Sequence, residues 1–230
     1  MSGRMTRQVM VAGFAGVFVL GPITGALAST RALWHMNDSN ATNNMLDSSS
    51  YNNDGERHNV VVGQPPVYGG TSFYFNGSNS YVTVPDTDNS LDPFSANITV
   101  TAWVRFTGPI LDDSYDIVRK GLGSTTGGDW KMEIKNIKRL GTVGKLKCTF
   151  RGHTEVVKTA SPDIMDGRDH KLECTKTASS VIARVDGRSY TKSVAAGSIA
   201  NTSNTMLGAK IPGDDVYNGY MDEVSVNIGG

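Results

Sequence analysis

The sequence predicts an all-β fold, an antiparallel two-sheet jelly-roll sandwich. Short runs of aromatic and β-branched residues alternate with polar ones, Gly, Asn and Asp mark turns between the runs, and no helical period is sustained beyond a turn or two. Many short strands spaced in this way, with turn chemistry between them, suit a jelly roll.

At the amino terminus, Arg4 and Arg7 precede an apolar run from Val9 to Leu20, and Ala26-Leu27-Ala28 supplies the small residues that a signal peptidase reads. Residues 1–28 are therefore expected to be a signal peptide, cleaved before Ser29, and the protein to be secreted. The run falls short of the about 20 apolar residues that span a bilayer. With no cysteine beside the cleavage point and no hydrophobic tail, no membrane insertion or lipid anchor is expected.

Residues 29–230 are read as one domain, long enough for a sandwich with a sizeable core. Taking Arg4 and Arg7 from the 22 basic residues leaves 20 against 22 acidic ones, a net charge of −2. That balance gives no electrostatic reason to expect nucleic acid as a partner.

In chain order, Phe73 and Phe75 precede an Asn76-Gly77 turn, and Tyr81-Val82 follows it, which reads as a hairpin. Val100, Ala102, Val104 and Phe106 alternate with Thr99, Thr101, Trp103 and Arg105, the period of a strand with one buried face. Segments 130–135, 145–151 and 205–210 are further strands. Asp166-Gly167 precedes a strand at 170–177, and Asp186-Gly187 separates VIARV from RSYTKSV as a second hairpin turn. The two cysteines, Cys148 and Cys174, sit mid-way through two of these strands. In a secreted chain an even count favours a disulfide, two buried thiols being the alternative. The expectation is that 145–151 and 170–177 lie side by side in one sheet, with the cysteines opposite each other.

Trp34, the run Leu46-Asp47-Ser48-Ser49 through Gly55, Phe75-Asn76-Gly77, Tyr81 to Asp86, Ile98 to Val104 and Asn218 to Val224 come in the order of the blocks of laminin-G-like, concanavalin A-like jelly-roll domains. The resemblance spans about residues 31–228. It implies two stacked antiparallel sheets, often a structural calcium ion, and ligands that are sugars or proteins. Asn76 stands where such domains often carry Asp, and Ser50-Tyr51 replaces a glycine-containing turn. The stretch WKMEIKNIKRLGTVGKLKCTF is more basic than the resemblance would suggest and reads as an exposed edge guarded by lysines.

Laminarinase-like glucanases that share this fold carry Glu-x-Asp-x-x-Glu on one strand. None of the five glutamates here has an acidic residue two positions on. Asp222 and Glu223 are adjacent, which on a regular strand sends them to opposite faces. No nucleophile elbow or phosphate-cradling glycine loop is present, and the four histidines have no ligand spacing. A non-catalytic module is expected, binding an extracellular glycan or a surface protein, with a glycan-active enzyme as the lesser alternative. Five Asn-x-Ser/Thr sequons, at Asn37, Asn40, Asn76, Asn97 and Asn201, are glycan acceptors if the source glycosylates.

Trp103 and Arg105, off the buried row, and Trp130 and Tyr217, beside Asp- and Gly-rich loops, are the candidate ligand contacts. The resemblance brings the first loop and the last strand together at one rim. There Asp47 and Asp222, with Asn53 or Asp54, would hold one structural Ca2+ through oxygen ligands. The alternative is that Asp47 and Asp54 stabilise the turn by side-chain to backbone hydrogen bonds.

Overall fold

A computed structural model of the chain describes residues 27–138, 142–151, 153–156 and 162–229, so the apolar run of the expected signal peptide lies outside the described residues. Sixteen strands and no helix of regular length occur among them. The first six are β1 (Ser29–Trp34), β2 (Asn44–Met45), β3 (Gly55–His58), β4 (Val61–Gln64), β5 (Ser72–Asn76) and β6 (Tyr81–Val84). Then come β7 (Ile98–Phe106), β8 (Ser114–Lys120), β9 (Trp130–Ile137), β10 (Val143–Phe150) and β11 (His153–Val156). The last five are β12 (His170–Lys176), β13 (Ser180–Val185), β14 (Arg188–Ser193), β15 (Thr205–Leu207) and β16 (Asn218–Ile228).

They form two antiparallel sheets. The first runs β14-β13-β12-β7-β16-β5-β4, with β1 pairing the carboxyl-terminal half of β16 where β5 leaves off. The second runs β11-β10-β9-β8-β15-β6-β3-β2. Alternation in β7 is strict, with Ile98, Val100, Ala102, Val104 and Phe106 buried and the residues between them partly exposed. Inward rows from both sheets close on Trp34, Phe73, Phe75, Phe106, Tyr115 and Trp130, all essentially removed from water. Burial of about 25 cal/mol per Å2 of apolar surface is the main force holding the sheets face to face.

Two expectations of pairing are corrected. Strands β5 and β6 are not a hairpin: β5 pairs β16 and β4 in the first sheet, β6 pairs β15 and β3 in the second. The Asn76-Gly77 turn instead carries the chain from one sheet to the other. Asn76 Oδ1 accepts the N–H groups of Ser78, Asn79 and Ser80 there, and Gly77 takes φ +69°. The Cys148–Cys174 disulfide is present, with Cα atoms 5.4 Å apart. It joins β10 of the second sheet to β12 of the first across the core, rather than two neighbours of one sheet, because both cysteines lie on inward rows.

A third departure concerns alternation itself. In β16 the register shifts between Asp222 and Ser225, Glu223 takes φ +47°, and both Met221 and Val224 are buried. This β-bulge gives the strand one extra residue, so Asp222 and Glu223 do not fall on opposite faces.

At one end of the sandwich, buried His170 sits between Asp186 Oδ2 (2.8 Å from Nδ1) and Asp166 Oδ1 (3.0 Å from Nε2). Burial alone would lower its pKa, but the two carboxylates outweigh burial and raise it above the ordinary histidine value. A group whose folded pKa is raised stabilises fully below its unfolded value, about pH 6.5, and loses that contribution as pH climbs through the folded value. The stability advantage of the protein over His170→Gln, measured by urea unfolding, should therefore shrink as pH is raised from about 6; an advantage that grows would contradict the assignment. The disulfide closes a separation of 26 residues. Cys148→Ala/Cys174→Ala should lose about 3 kcal/mol of unfolding free energy in denaturant titrations.

Candidate functional site

The partly exposed row of β7 forms the floor of an aromatic surface on the first sheet. Trp103 is opposite Lys171 of β12 on one side and Asp222 of β16 on the other. One step along, Arg105, Tyr220 and Tyr74 lie in register on β7, β16 and β5. The Tyr74 and Tyr220 rings meet at 5.1 Å, and the Arg105 guanidinium lies 5.5 Å from the centre of the Tyr220 ring.

The segment between β4 and β5 folds back over this floor. Its Val67, Tyr68 and Gly69 N–H groups all donate to Asp222 Oδ2, at 3.2, 2.9 and 3.3 Å. Arg105 donates from Nη2 to Pro66 O at 3.1 Å and from Nε to Asp169 Oδ1 at 2.6 Å. Gly70 closes the segment at φ +67°, and a Cβ there would run into the Asn37 side chain. Held in this way, the Tyr68 ring stacks on Trp103 with centroids 4.5 Å apart and planes 21° from parallel, yet Tyr68 remains 64% exposed. Asp222 is fully buried, and burial pushes its carboxyl above the ordinary range even though the three amides pull the other way.

Of the sequence-predicted ligand contacts, Trp103 and Arg105 belong to this surface, with Trp103 lying beneath Tyr68. Trp130 and Tyr217 do not. Both are fully buried, Trp130 donating Nε1–H to Leu91 O at 3.1 Å and Tyr217 its hydroxyl to Tyr220 O at 3.1 Å. An aromatic ring at the edge of a polar loop still turns inward when it falls on the core row, and its polar atom then finds a backbone partner. Tyr68 was the residue missed. The signal was there in Pro65-Pro66-Val67-Tyr68-Gly69-Gly70, a lone aromatic in a segment too rich in Pro and Gly to be a strand.

At the expected calcium site the candidate oxygens are engaged by the protein's own donors. Asp47 Oδ1 accepts from Leu33 N and Ser49 N, both at 2.8 Å, and Oδ2 from Ser49 Oγ at 2.7 Å and Asn53 N at 2.8 Å. Asp54 Oδ1 accepts from Asp47 N at 2.7 Å, and the Asn53 amide is engaged by Arg31 O and Ser90 Oγ. These donors aim hydrogens at the oxygens a cation would need, and Asp222 serves a different segment altogether. Among the described residues, the acidic group able to bring oxygens within 4.8 Å of one another is Asp116, Glu133 and Asp215, on the second sheet. Arg119 pairs with Asp116 at 2.6 Å, while Lys131 and Lys147 pair with Glu133 at 2.6 and 2.5 Å. The carboxylates are thus already neutralised by side-chain cations, a poor match to the oxygen-rich anionic shell of calcium.

Asp47 is the hub of its turn. Asp47→Ala should cost about 2–3 kcal/mol by leaving backbone donors without an acceptor. Calorimetric unfolding checks this, and a midpoint of the parent protein that rises with calcium would restore the ion site.

Sequence comparison matches residues 76–227 to the family described as Concanavalin A-like lectin/glucanases superfamily. No curated protein matches the chain in sequence. Among solved structures, domain 4 of AbnA, a GH43 extracellular arabinanase from Geobacillus stearothermophilus solved with arabinotriose, is similar at TM-score 0.59 and 15% identity, over 88% of this chain and 93% of that one. The binding domain of botulinum neurotoxin DC in complex with SialylT is similar at TM-score 0.61 and 15% identity, over 86% of this chain and 47% of that one. Mouse laminin alpha1 domains LG4-5 are similar at TM-score 0.51 and 15% identity, over 69% and 42%. The chain spans about half the length of the toxin binding domains it matches. At such identities these likenesses show a shared fold. With a family match across more than half of its length, the chain belongs to the concanavalin A-like lectin/glucanases superfamily.

Proposed function

We propose that this protein is a secreted, non-catalytic binding module that holds a glycan on the Tyr68–Trp103 surface. One observation carries the reading: an exposed tyrosine ring stacked on a tryptophan and fixed from below by the three hydrogen bonds of a buried aspartate. A large exposed ring fixed in this way surrenders little conformational freedom on binding. The C–H face of a sugar packs on the outer face of such a ring, while Arg105 and the Tyr220 hydroxyl offer polar contacts beside it. Secretion rests on residues 1–28, and the non-catalytic role on the absence of Glu-x-Asp-x-x-Glu. The arabinotriose and SialylT complexes of proteins with this fold support a glycan as the ligand.

A glycan array probed with the mature protein tests the reading. Tyr68→Ala should weaken binding to any hit at least tenfold while leaving the thermal midpoint within a few degrees, since the ring is mostly exposed, and Trp103→Ala should weaken it further. Hits indifferent to both substitutions would move the site elsewhere, and a protein ligand captured in place of any glycan would make this a protein-interaction module.

A further inference from the structure

Lys120 is the last residue of β8, and it is fully removed from water. Its Nζ donates to Asp92 Oδ1 at 2.6 Å and to the carbonyl of Asn201, and stands 3.3 Å from Asp86 Oδ1. The two carboxylates are as dry as the amine, with side chains only 1% exposed at Asp92 and 5% at Asp86. The second Asp92 oxygen, Oδ2, accepts the N–H of Asn201 at 3.1 Å. Lys131 and Lys147, which share Glu133 on the outer face of the same sheet, are by contrast 14% and 25% exposed at the side chain.

Both the geometry and the dryness of the Lys120 site bear on its reactivity. A nitrogen hydrogen-bonded to a carboxyl oxygen stands roughly 3–3.5 Å from the carboxyl carbon, a near-attack distance, and holding two groups there in a fold is worth an effective molarity of about 10⁵–10⁸ M. Burial works in the same direction. An ammonium and a carboxylate taken out of water carry a desolvation cost that their attraction repays only in part. Moving one proton along the Lys120–Asp92 hydrogen bond turns them into a neutral amine and a carboxylic acid, the reactive form of each. Burial, with the Asp86 charge adding to it, raises the Asp92 pKa against the pull of Lys120.

We infer that Lys120 and Asp92 condense inside the folded protein into a side-chain amide, a covalent cross-link between β8 and the 86–96 segment. The shared proton passes from Nζ to Asp92 Oδ1. The amine lone pair then adds to Asp92 Cγ and forms the C–N bond, while the carbonyl electron pair moves onto Oδ2, where the Asn201 N–H is already aimed as an oxyanion donor. Asp86 takes a second proton from the nitrogen and returns it to Oδ1. The C–Oδ1 bond breaks, Oδ1 leaves as water with both protons, and the carbonyl re-forms at Oδ2. One ammonium and one carboxylate become one amide and one water, Asp86 ends as it began, and no co-reactant is consumed. Two opposite charges leave the interior in the process, which favours the product.

Trypsin digestion of the denatured protein, followed by mass analysis, tests the inference. An unlinked chain is cut after Arg119 and again after Lys120, and releases 58–105 and 121–131 as separate peptides. The amide blocks cleavage after Lys120 and should join 58–105 to 120–131 at a mass one water below their sum. Asp86→Asn keeps the size of the side chain and removes the proton carrier. With thermal unfolding showing that it folds, and followed from a pulse of synthesis, it should condense about a hundredfold more slowly than the parent. Lys120→Arg keeps a cation that is no nucleophile and should never link. Free 121–131 as the main product of the parent protein, loss of water without joined peptides, as a succinimide at an Asp-Gly pair would give, or linkage of Asp86→Asn at the parent's rate would each overturn the assignment.

Discussion

The two-residue period of β7 and β16, paired at the centre of the first sheet, is the constraint to which the other features refer. It sends one row of side chains into the core and leaves the other to build a surface. Where the period is broken, at the Asp222–Ser225 bulge, both sheet faces are affected. The core keeps Met221 and Val224, while Asp222, just before the bulge, gathers three backbone donors from the segment that crosses above it. Alternation from Met221 already sets Asp222 on the outer face opposite Trp103; the bulge at Glu223 keeps that second carboxylate off the core row and lets Val224 resume it.

Charge is used inside the sandwich as well as on it. Lys120, on the core side of β8, is fully buried and pairs with Asp92 at 2.6 Å and Asp86 at 3.3 Å while also bonding the carbonyl of Asn201. Lys176 at the end of β12 donates to the Ala96 carbonyl at 2.7 Å, and burial lowers its pKa. Such buried charges return little net stability against their desolvation, but removing one partner strands the other. Their effect is to fix where the 86–96 segment lies on the rim. The disulfide acts in the same sense between β10 and β12, tying the two sheets so that neither can shift against the core.

The candidate surface was partly legible. Trp103 and Arg105 follow from alternation alone, since the core row of β7 is unambiguous. Tyr68 does not, because its position over Trp103 depends on Asp222, which is 154 residues away in the chain. Trp130 and Tyr217 misled for a related reason: adjacency to a polar loop says nothing about which side of the sheet a ring occupies. Asp47, expected as a calcium ligand or as a turn stabiliser, accepts from the N–H groups of Leu33, Ser49 and Asn53 and from the Ser49 hydroxyl, the pattern of an Asx-type turn. The lysines of β9 and β10 were equally visible, yet they guard no edge: β11 covers the edge of β10, and an edge strand and an interior one have the same alternating pattern.

The sequence by itself determined the all-β class, the strand β7 with its inward row, the strands that carry Cys148 and Cys174, and the disulfide between them, because each depends on side-chain period, turn chemistry or composition within a few residues. Beyond the β13–β14 hairpin at Asp186-Gly187, only the tertiary structure decided which strands pair. Asn76-Gly77 serves as well for a crossing between sheets as for a hairpin, and a cysteine on an inward row can meet a partner beside it or across the core. Those choices are made by the whole set of inward rows closing on one another. That is a non-local packing requirement, and it is also what brought Tyr68 over Trp103 and set Arg119, Lys131 and Lys147 against Asp116 and Glu133 on the second sheet.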